Sequence, residues 1–164
     1  MKGVREIATT GIWKIEKRLD NVIDYTTNIE KTINSDYGKD SYYDLHNVID
    51  YVEADYKTEK QFYVSGVNCN PKTALEEMTI TKEQYGKTGG ILGFHAFQSF
   101  AEGEVTPEQC HAIGVRLAEE MWGDRFEVVV STHLNTNHYH NHFVINSVSF
   151  KDGKRYYDKR ETYA

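Results

Sequence analysis

The chain has 164 residues, 39% of them hydrophobic and 27% charged, enough for one domain with its own core and no covalent staples. No apolar run nears the roughly eighteen residues of a membrane span, MKGVREIATT has no signal-peptide apolar stretch, and Cys69 and Cys110 fit no CxxC pattern, so a cytoplasmic protein with reduced cysteines and no membrane insertion is expected. The net charge of −6 speaks against a general polyanion binder, yet it is segregated: residues 1–18 and 151–160 each carry five basic against two acidic side chains, and residues 19–60 ten acids against four lysines.

Residues 3–16 mix β-branched and aromatic side chains and predict a first strand. Leu19, Val22, Ile23 and Ile29 recur at helical spacing and predict a helix over about 18–29. A polar, Gly-containing stretch at 33–43 reads as a mobile loop. A second helical pattern over 45–58 repeats the pentapeptide NVIDY of 21–25, but two copies are too few for a solenoid. QFYVSGVNC at 61–69 reads as a buried strand, and Asn70-Pro71 opens a helix that Gly89-Gly90 break.

The segment 91–100 predicts a strand with Phe94, Ala96, Gln98 and Phe100 on one face and His95, Phe97 and Ser99 on the other. Thr106-Pro107-Glu108-Gln109 is a helix start with an N-cap, a first-turn proline and a capping-box glutamine, and Pro107–Trp122 is the helix it opens. Strands over 124–133 and 139–150 flank a short turn and are expected to be antiparallel neighbours, and Asp152-Gly153 marks a closing hairpin. The fold expected is α/β, a mainly antiparallel sheet of about five strands with helices packed on its face. Spacing alone does not fix the strand order.

Four of the seven histidines fall within residues 133–142. In a strand, His138, His140 and His142 share one face, and His133, ending the neighbouring strand, comes opposite the start of the next, near His140 and His142. Three neutral imidazoles from two strands can hold one divalent ion and leave its other positions open. His138, one step nearer the turn, is an alternative ligand or a group that contacts substrate. HExxH is absent, HxHxDH lacks its Asp, and a cupin-like Glu downstream is replaced by Val144, Ile145 and Asn146. No GxSxG nucleophile is present, but tyrosine occurs twelve times, and a phenol beside a metal can attack a phosphodiester.

THLNTNHYHNHFVINSVSFKDGKRYY resembles the third motif of the MobP-type (MobA/MobL-like) conjugative relaxases, which are HUH endonucleases. NVIDYTTNIEKT at 21–32 resembles their first motif and HAFQSFAEGEVTPEQCHAIG at 95–114 their second. The resemblance implies an HUH-type relaxase fold and an enzyme that nicks single-stranded DNA at an origin of transfer. Tyr25 would attack one phosphodiester to form a 5′-phosphotyrosyl link, and His133, His140 and His142 would hold Mn²⁺ or Mg²⁺. Three nitrogen ligands chemically favour Mn²⁺ or a later metal over Mg²⁺. It further implies accessory relaxosome proteins and a coupling protein as partners.

Asn135, His138 and Asn146 are expected behind the ligands or against substrate. Arg18, Lys31, His95, Ser99, Lys151, Lys154 and Arg155 are expected at the DNA, and His46 and His111 at the surface or in helix packing. Tyr51 rivals Tyr25 because both close the same pentapeptide. Two departures stand out: the family usually has Asp where this chain has Asn135, and family chains continue past RETYA, so residues 1–164 read as an excised nuclease domain. The alternative from another class is a catalytically silent single-stranded DNA-binding or replication-accessory domain on the same scaffold.

Overall fold

Strand and helix signals resolve into one sheet with helices on both faces. The structure is a computed structural model that describes residues 8–32 and 63–156. The loop expected at 33–43, the helix expected at 45–58, His46 and Tyr51 lie outside the described residues. Strands β1 (Ala8–Ile15), β2 (Val64–Val67), β3 (Gly93–Phe100), β4 (Val128–His133) and β5 (His140–Asn146) pair in the order β1-β3-β5-β4-β2. All four pairings are antiparallel. The central position of β5 explains why Phe143, Val144 and Ile145 are essentially shut off from solvent.

The two faces carry separate apolar layers. On one, Phe94, Ala96, Val128, Val130, Phe143 and Ile145 pack under helix α4 (Pro107–Trp122) through Ala118 and Trp122. On the other, Val129 and Val144 pack under helix α1 (Leu19–Thr26) through Leu19 and Ile23, and under helix α3 (Ala74–Gln84) through Ala74 and Met78. Each Val, Leu, Ile, Phe or Met side chain buried this way contributes about 1.5–3 kcal/mol relative to exposure. Helix α4 has the expected bounds, with Thr106 and Gln109 forming the reciprocal capping box.

Three boundaries differ from expectation for local reasons. The single helix expected over 18–29 ends at Thr26, where the hydroxyls of Thr26 and Thr27 both bond the Ile23 carbonyl, and β-branched side chains that compete for backbone carbonyls weaken a helix. The chain restarts at Asn28 as the single-turn helix α2 (Ile29–Thr32). The helix opened at Pro71 begins as a 3-10 turn, Pro71–Thr73, before α3. Strand β5 stops at Asn146, beyond which Val148 pairs with Arg155 in the hairpin signalled by Asp152-Gly153.

Asn146 explains where the strand ends. It is fully buried and accepts Lys82 Nζ at 2.5 Å, while its amide nitrogen donates to Glu127 Oε1 at 2.8 Å and to the Met78 carbonyl. Thr81 donates to the second Glu127 oxygen. Burial pushes Lys82 down to about 8 and raises the Glu127 carboxyl, so this network is polar, enclosed and satisfied by its own members.

Candidate active site

The register of β4 against β5 sets His133 opposite His140 and Ser131 opposite His142, so one sheet face gathers His133, His140 and His142. Their ring centroids stand 5.0, 4.2 and 5.0 Å apart for the 133–140, 133–142 and 140–142 pairs. One nitrogen from each lies within 4.8 Å of the others. His133 is 1% exposed. Burial pushes His133 down to about 4 and His142 to about 2, so both rings are neutral at neutral pH, the protonation state a metal ligand needs.

The outer nitrogen of each ring is already engaged. His133 Nε2 donates to the Thr26 carbonyl at 2.8 Å, and His140 Nδ1 donates to the His138 carbonyl at 3.0 Å. His142 Nδ1 lies 2.7 Å from His95 Nε2 on β3. These bonds leave His133 Nδ1, His140 Nε2 and His142 Nε2 as the available lone pairs, an arrangement in which outer contacts fix ring orientation and tautomer. His142 Nε2 is buried without a hydrogen-bond partner. A divalent cation can satisfy such an atom, and imidazole nitrogens suit a divalent transition ion, so the donor set fits the metal that the sequence implies.

Tyr25 reaches the cluster from α1. Its ring meets His133 at 5.7 Å and His142 at 5.8 Å, both edge-on, and the residue is 51% exposed. The same helix end supplies the Thr26 carbonyl, one of the terminal carbonyls that lack a partner within the helix. One backbone feature thereby orients a histidine 107 residues away and presents the adjacent tyrosine. Lys31 Nζ lies 5.3 Å from the Tyr25 ring centroid, and its carbonyl accepts Leu134 N, tying α2 to the end of β4.

Other sequence candidates divide sharply. His95 joins the cluster as the partner of His142, and Ser99 lies opposite His140 on the same face. His138 does not join the three. Its Nδ1 donates to the Phe100 carbonyl and its own carbonyl holds His140, so it secures the turn. Asn135 is exposed on that turn and makes none of the bonds that orient the three rings, a role taken by Thr26, His138 and His95.

Asn146 sits at the opposite end of β5, inside the Lys82–Glu127 network, which corrects its expected place beside the site. Lys151, Lys154 and Arg155 lie on the hairpin beyond that end, where Arg155 donates to the Gly89 carbonyl and Asp152 pairs with Arg125, so the structure does not bring them to the cluster. Arg18, expected at the DNA, stands at the far end of α1 from Tyr25 and pairs with Asp20 and Asn21.

The reverse face holds a network that the sequence did not reveal. His111, half-buried on α4, takes the helix-packing place of its two expected ones: Ser65 Oγ lies 2.6 Å from its Nε2 and Thr132 Oγ1 2.7 Å from its Nδ1. Thr132 donates to Asn141 Oδ1 at 2.5 Å, and the Asn141 amide donates to Gln98 Oε1 and the Cys110 carbonyl. Thr132 therefore accepts from His111 Nδ1–H, and His111 Nε2 accepts from Ser65. Burial pushes His111 down to about 4, consistent with a neutral ring. Thr132 adjoins His133 in sequence and Asn141 separates His140 from His142, so this network fixes from behind the two strands that carry the three rings. Cys69 and Cys110 are free thiols that burial raises to about 12, which makes them poor nucleophiles.

A five-stranded antiparallel sheet carrying three convergent histidines, with a half-exposed tyrosine against them, defines the class of site. The family described as relaxase, MobA/VirD2-like, nuclease domain, matches residues 51–164. This span contains all three histidines and lies downstream of Tyr25. The chain belongs to that family. "Protein rlx" of Staphylococcus aureus is 44% identical over 97 residues, covering 59% of this chain and 30% of the relative. The group II intron-interrupted relaxase LtrB of Lactococcus lactis subsp. cremoris is 32% identical over 166 aligned positions, covering 85% of this chain and 29% of the relative. The chain thus spans about three-tenths of the length of these curated relatives. No solved structure matches it. Among the described residues no helix is long and apolar enough to cross a membrane.

Proposed function

We propose that this chain is the nuclease domain of a conjugative relaxase that nicks single-stranded DNA at an origin of transfer, with Tyr25 as the nucleophile. The observation that carries the reading is the approach of the half-exposed Tyr25 ring to His133 and His142 at 5.7 and 5.8 Å. The Tyr25 hydroxyl oxygen forms a bond to phosphorus as the bond to the 3′ oxygen breaks. The phenol gives up its proton, the departing 3′ oxygen gains one, and the strand on the 3′ side of the nick stays attached through its 5′ phosphate as phosphotyrosine. The free 3′-hydroxyl can reverse the step.

His133 Nδ1, His140 Nε2 and His142 Nε2 would hold the divalent ion, Mn²⁺ or Mg²⁺, and its bound charge would polarise the scissile phosphate and offset the negative charge that develops there. Thr26, His138 and His95 keep those nitrogens pointed inward. Lys31, over the Tyr25 ring, meets the phosphate backbone and contributes positive charge where the strand enters. The wider assembly implied by the family, with accessory relaxosome proteins and a coupling protein, belongs to the same proposal. The test is incubation with Mn²⁺ and single-stranded origin oligonucleotides, followed by denaturing electrophoresis. A protein–DNA band that survives denaturation in the wild type and is missing in Tyr25→Phe supports the reading; full adduct formation by Tyr25→Phe overturns it.

A further inference from the structure

We infer that Trp13 is a stacking platform for a nucleobase of the single-stranded substrate, at the edge of the sheet beside the histidine cluster; the inference rests on the relaxase reading and adds a binding subsite to it. Trp13 is 54% exposed on edge strand β1. Its indole stacks on Phe97 with centroids 5.3 Å apart and an interplanar angle of 18°, and it meets His95 at 5.7 Å.

The stack is built by the register. Trp13 lies opposite His95, and Phe97 lies between Gly11 on β1 and His142 on β5. A Cβ at Gly11 would come within 2.5 Å of the Phe97 ring, so the absence of a side chain there lets Phe97 lie across the edge strand and support the indole. Trp13, Phe97, His95 and His142 thereby form a continuous aromatic row from the sheet edge to the three-histidine centre. Two interstrand steps separate β1 from β5, about 10 Å, which places the indole within a nucleotide or two of a phosphate at that centre.

One side of the indole is covered by Phe97, and the exposure of the residue leaves room for a second planar ring. Exposed single aromatics are common on protein surfaces, but this one is continuous with the proposed reaction centre. An exposed aromatic face accepts any base, which is how proteins hold single strands with little sequence preference.

The chain has two tryptophans, and Trp122 is 3% exposed, so emission from Trp13 reports stacking. With Mn²⁺ and a mixed-sequence single-stranded oligonucleotide, binding should quench that emission. Trp13→Ala should weaken binding by roughly 5- to 150-fold, Trp13→Phe should retain most of the affinity, and Trp13→Leu, which keeps an apolar contact to Phe97, should not. On an oligonucleotide made of abasic sites the wild type and Trp13→Ala should bind alike. Equal binding of the normal oligonucleotide by wild type, Trp13→Ala and Trp13→Leu would overturn the platform, as would an equal Trp13→Ala loss on the abasic strand. A Tyr25 adduct with no Trp13 effect discards the platform alone. Trp13-dependent stacking with no adduct keeps the platform and discards nicking, and no binding at all discards both.

Discussion

Replacing Gly114 by Ala places two effects in opposition, and the structure decides which prevails. Within an ordinary helix the change favours α4 by about 0.8–1.0 kcal/mol. Here the new Cβ would stand 2.6 Å from Asn141 Nδ2 and 2.7 Å from its Cγ. Relief is cheap only if that amide swings aside. Asn141 is fully buried and its amide is held by Gln98, Cys110 and Thr132. Overpacking of a filled site costs about 1–3 kcal/mol, and stranding a buried amide costs about 1–3 kcal/mol more. The net expectation for Gly114→Ala is destabilisation by about 1–5 kcal/mol, read from urea unfolding followed by circular dichroism. Because Asn141 lies between His140 and His142, affinity for Mn²⁺ should fall as well. A variant as stable as the wild type, with unchanged metal affinity, would refute both the close approach of α4 and the bracing role of Asn141.

Metal binding should raise the melting temperature. At a concentration a hundred times Kd the stabilisation is about 2.7 kcal/mol, on the order of 5–10 °C, and His142→Ala, His140→Ala or His133→Ala should abolish it; a shift that persists in all three would remove the site. In the same assay Asn135→Asp should leave metal affinity within about twofold, because Asn135 orients none of the three rings, whereas a tenfold gain would place a carboxylate against them. Lys82 offers a pH test. Burial holds it at about 8 in the folded chain against 10.5, so the unfolded chain binds the extra proton between those values and this group makes stability rise with pH across that window, by up to about 3 kcal/mol. Cys69 and Cys110, raised to about 12 from 9.0, act in the opposite direction. The measurement is therefore the difference between wild type and Lys82→Met from pH 7 to 10.5, and a flat difference would contradict the buried environment of Lys82.

Much of this architecture was legible where the signal is local. The start of α4 follows from consecutive residues, Thr106 to Gln109, each with its own backbone task. The clustering of His133, His140 and His142 was legible because they flank one short turn, so strand periodicity and a tight connection suffice to bring them together. What was not legible depends on long-range pairing. That β3 lies beside β5, which gives His95 to His142, is set by packing and by no pattern within either segment. The Thr26 contact was invisible because it uses a backbone oxygen. Asn146 was expected behind the ligands or against substrate, but a strand advances about 3.3 Å per residue and carries Asn146 roughly 13 Å from His142, and the basic hairpin expected at the DNA lies beyond it. Likewise the six helical residues between Arg18 and Tyr25 put the guanidinium at the wrong end of α1.

The central claim is that Tyr25 and the three histidines form one reaction centre, and covalent capture of DNA tests it most directly. Wild type, Tyr25→Phe and Tyr51→Phe are incubated with Mn²⁺ and a single-stranded origin oligonucleotide labelled on the 5′ side and, separately, on the 3′ side of the nick. The expected result is a denaturation-resistant adduct that carries only the 3′-side label, formed by wild type and Tyr51→Phe, lost in Tyr25→Phe, and lost from wild type when the metal is chelated. An adduct that survives in Tyr25→Phe and disappears in Tyr51→Phe would contradict the account.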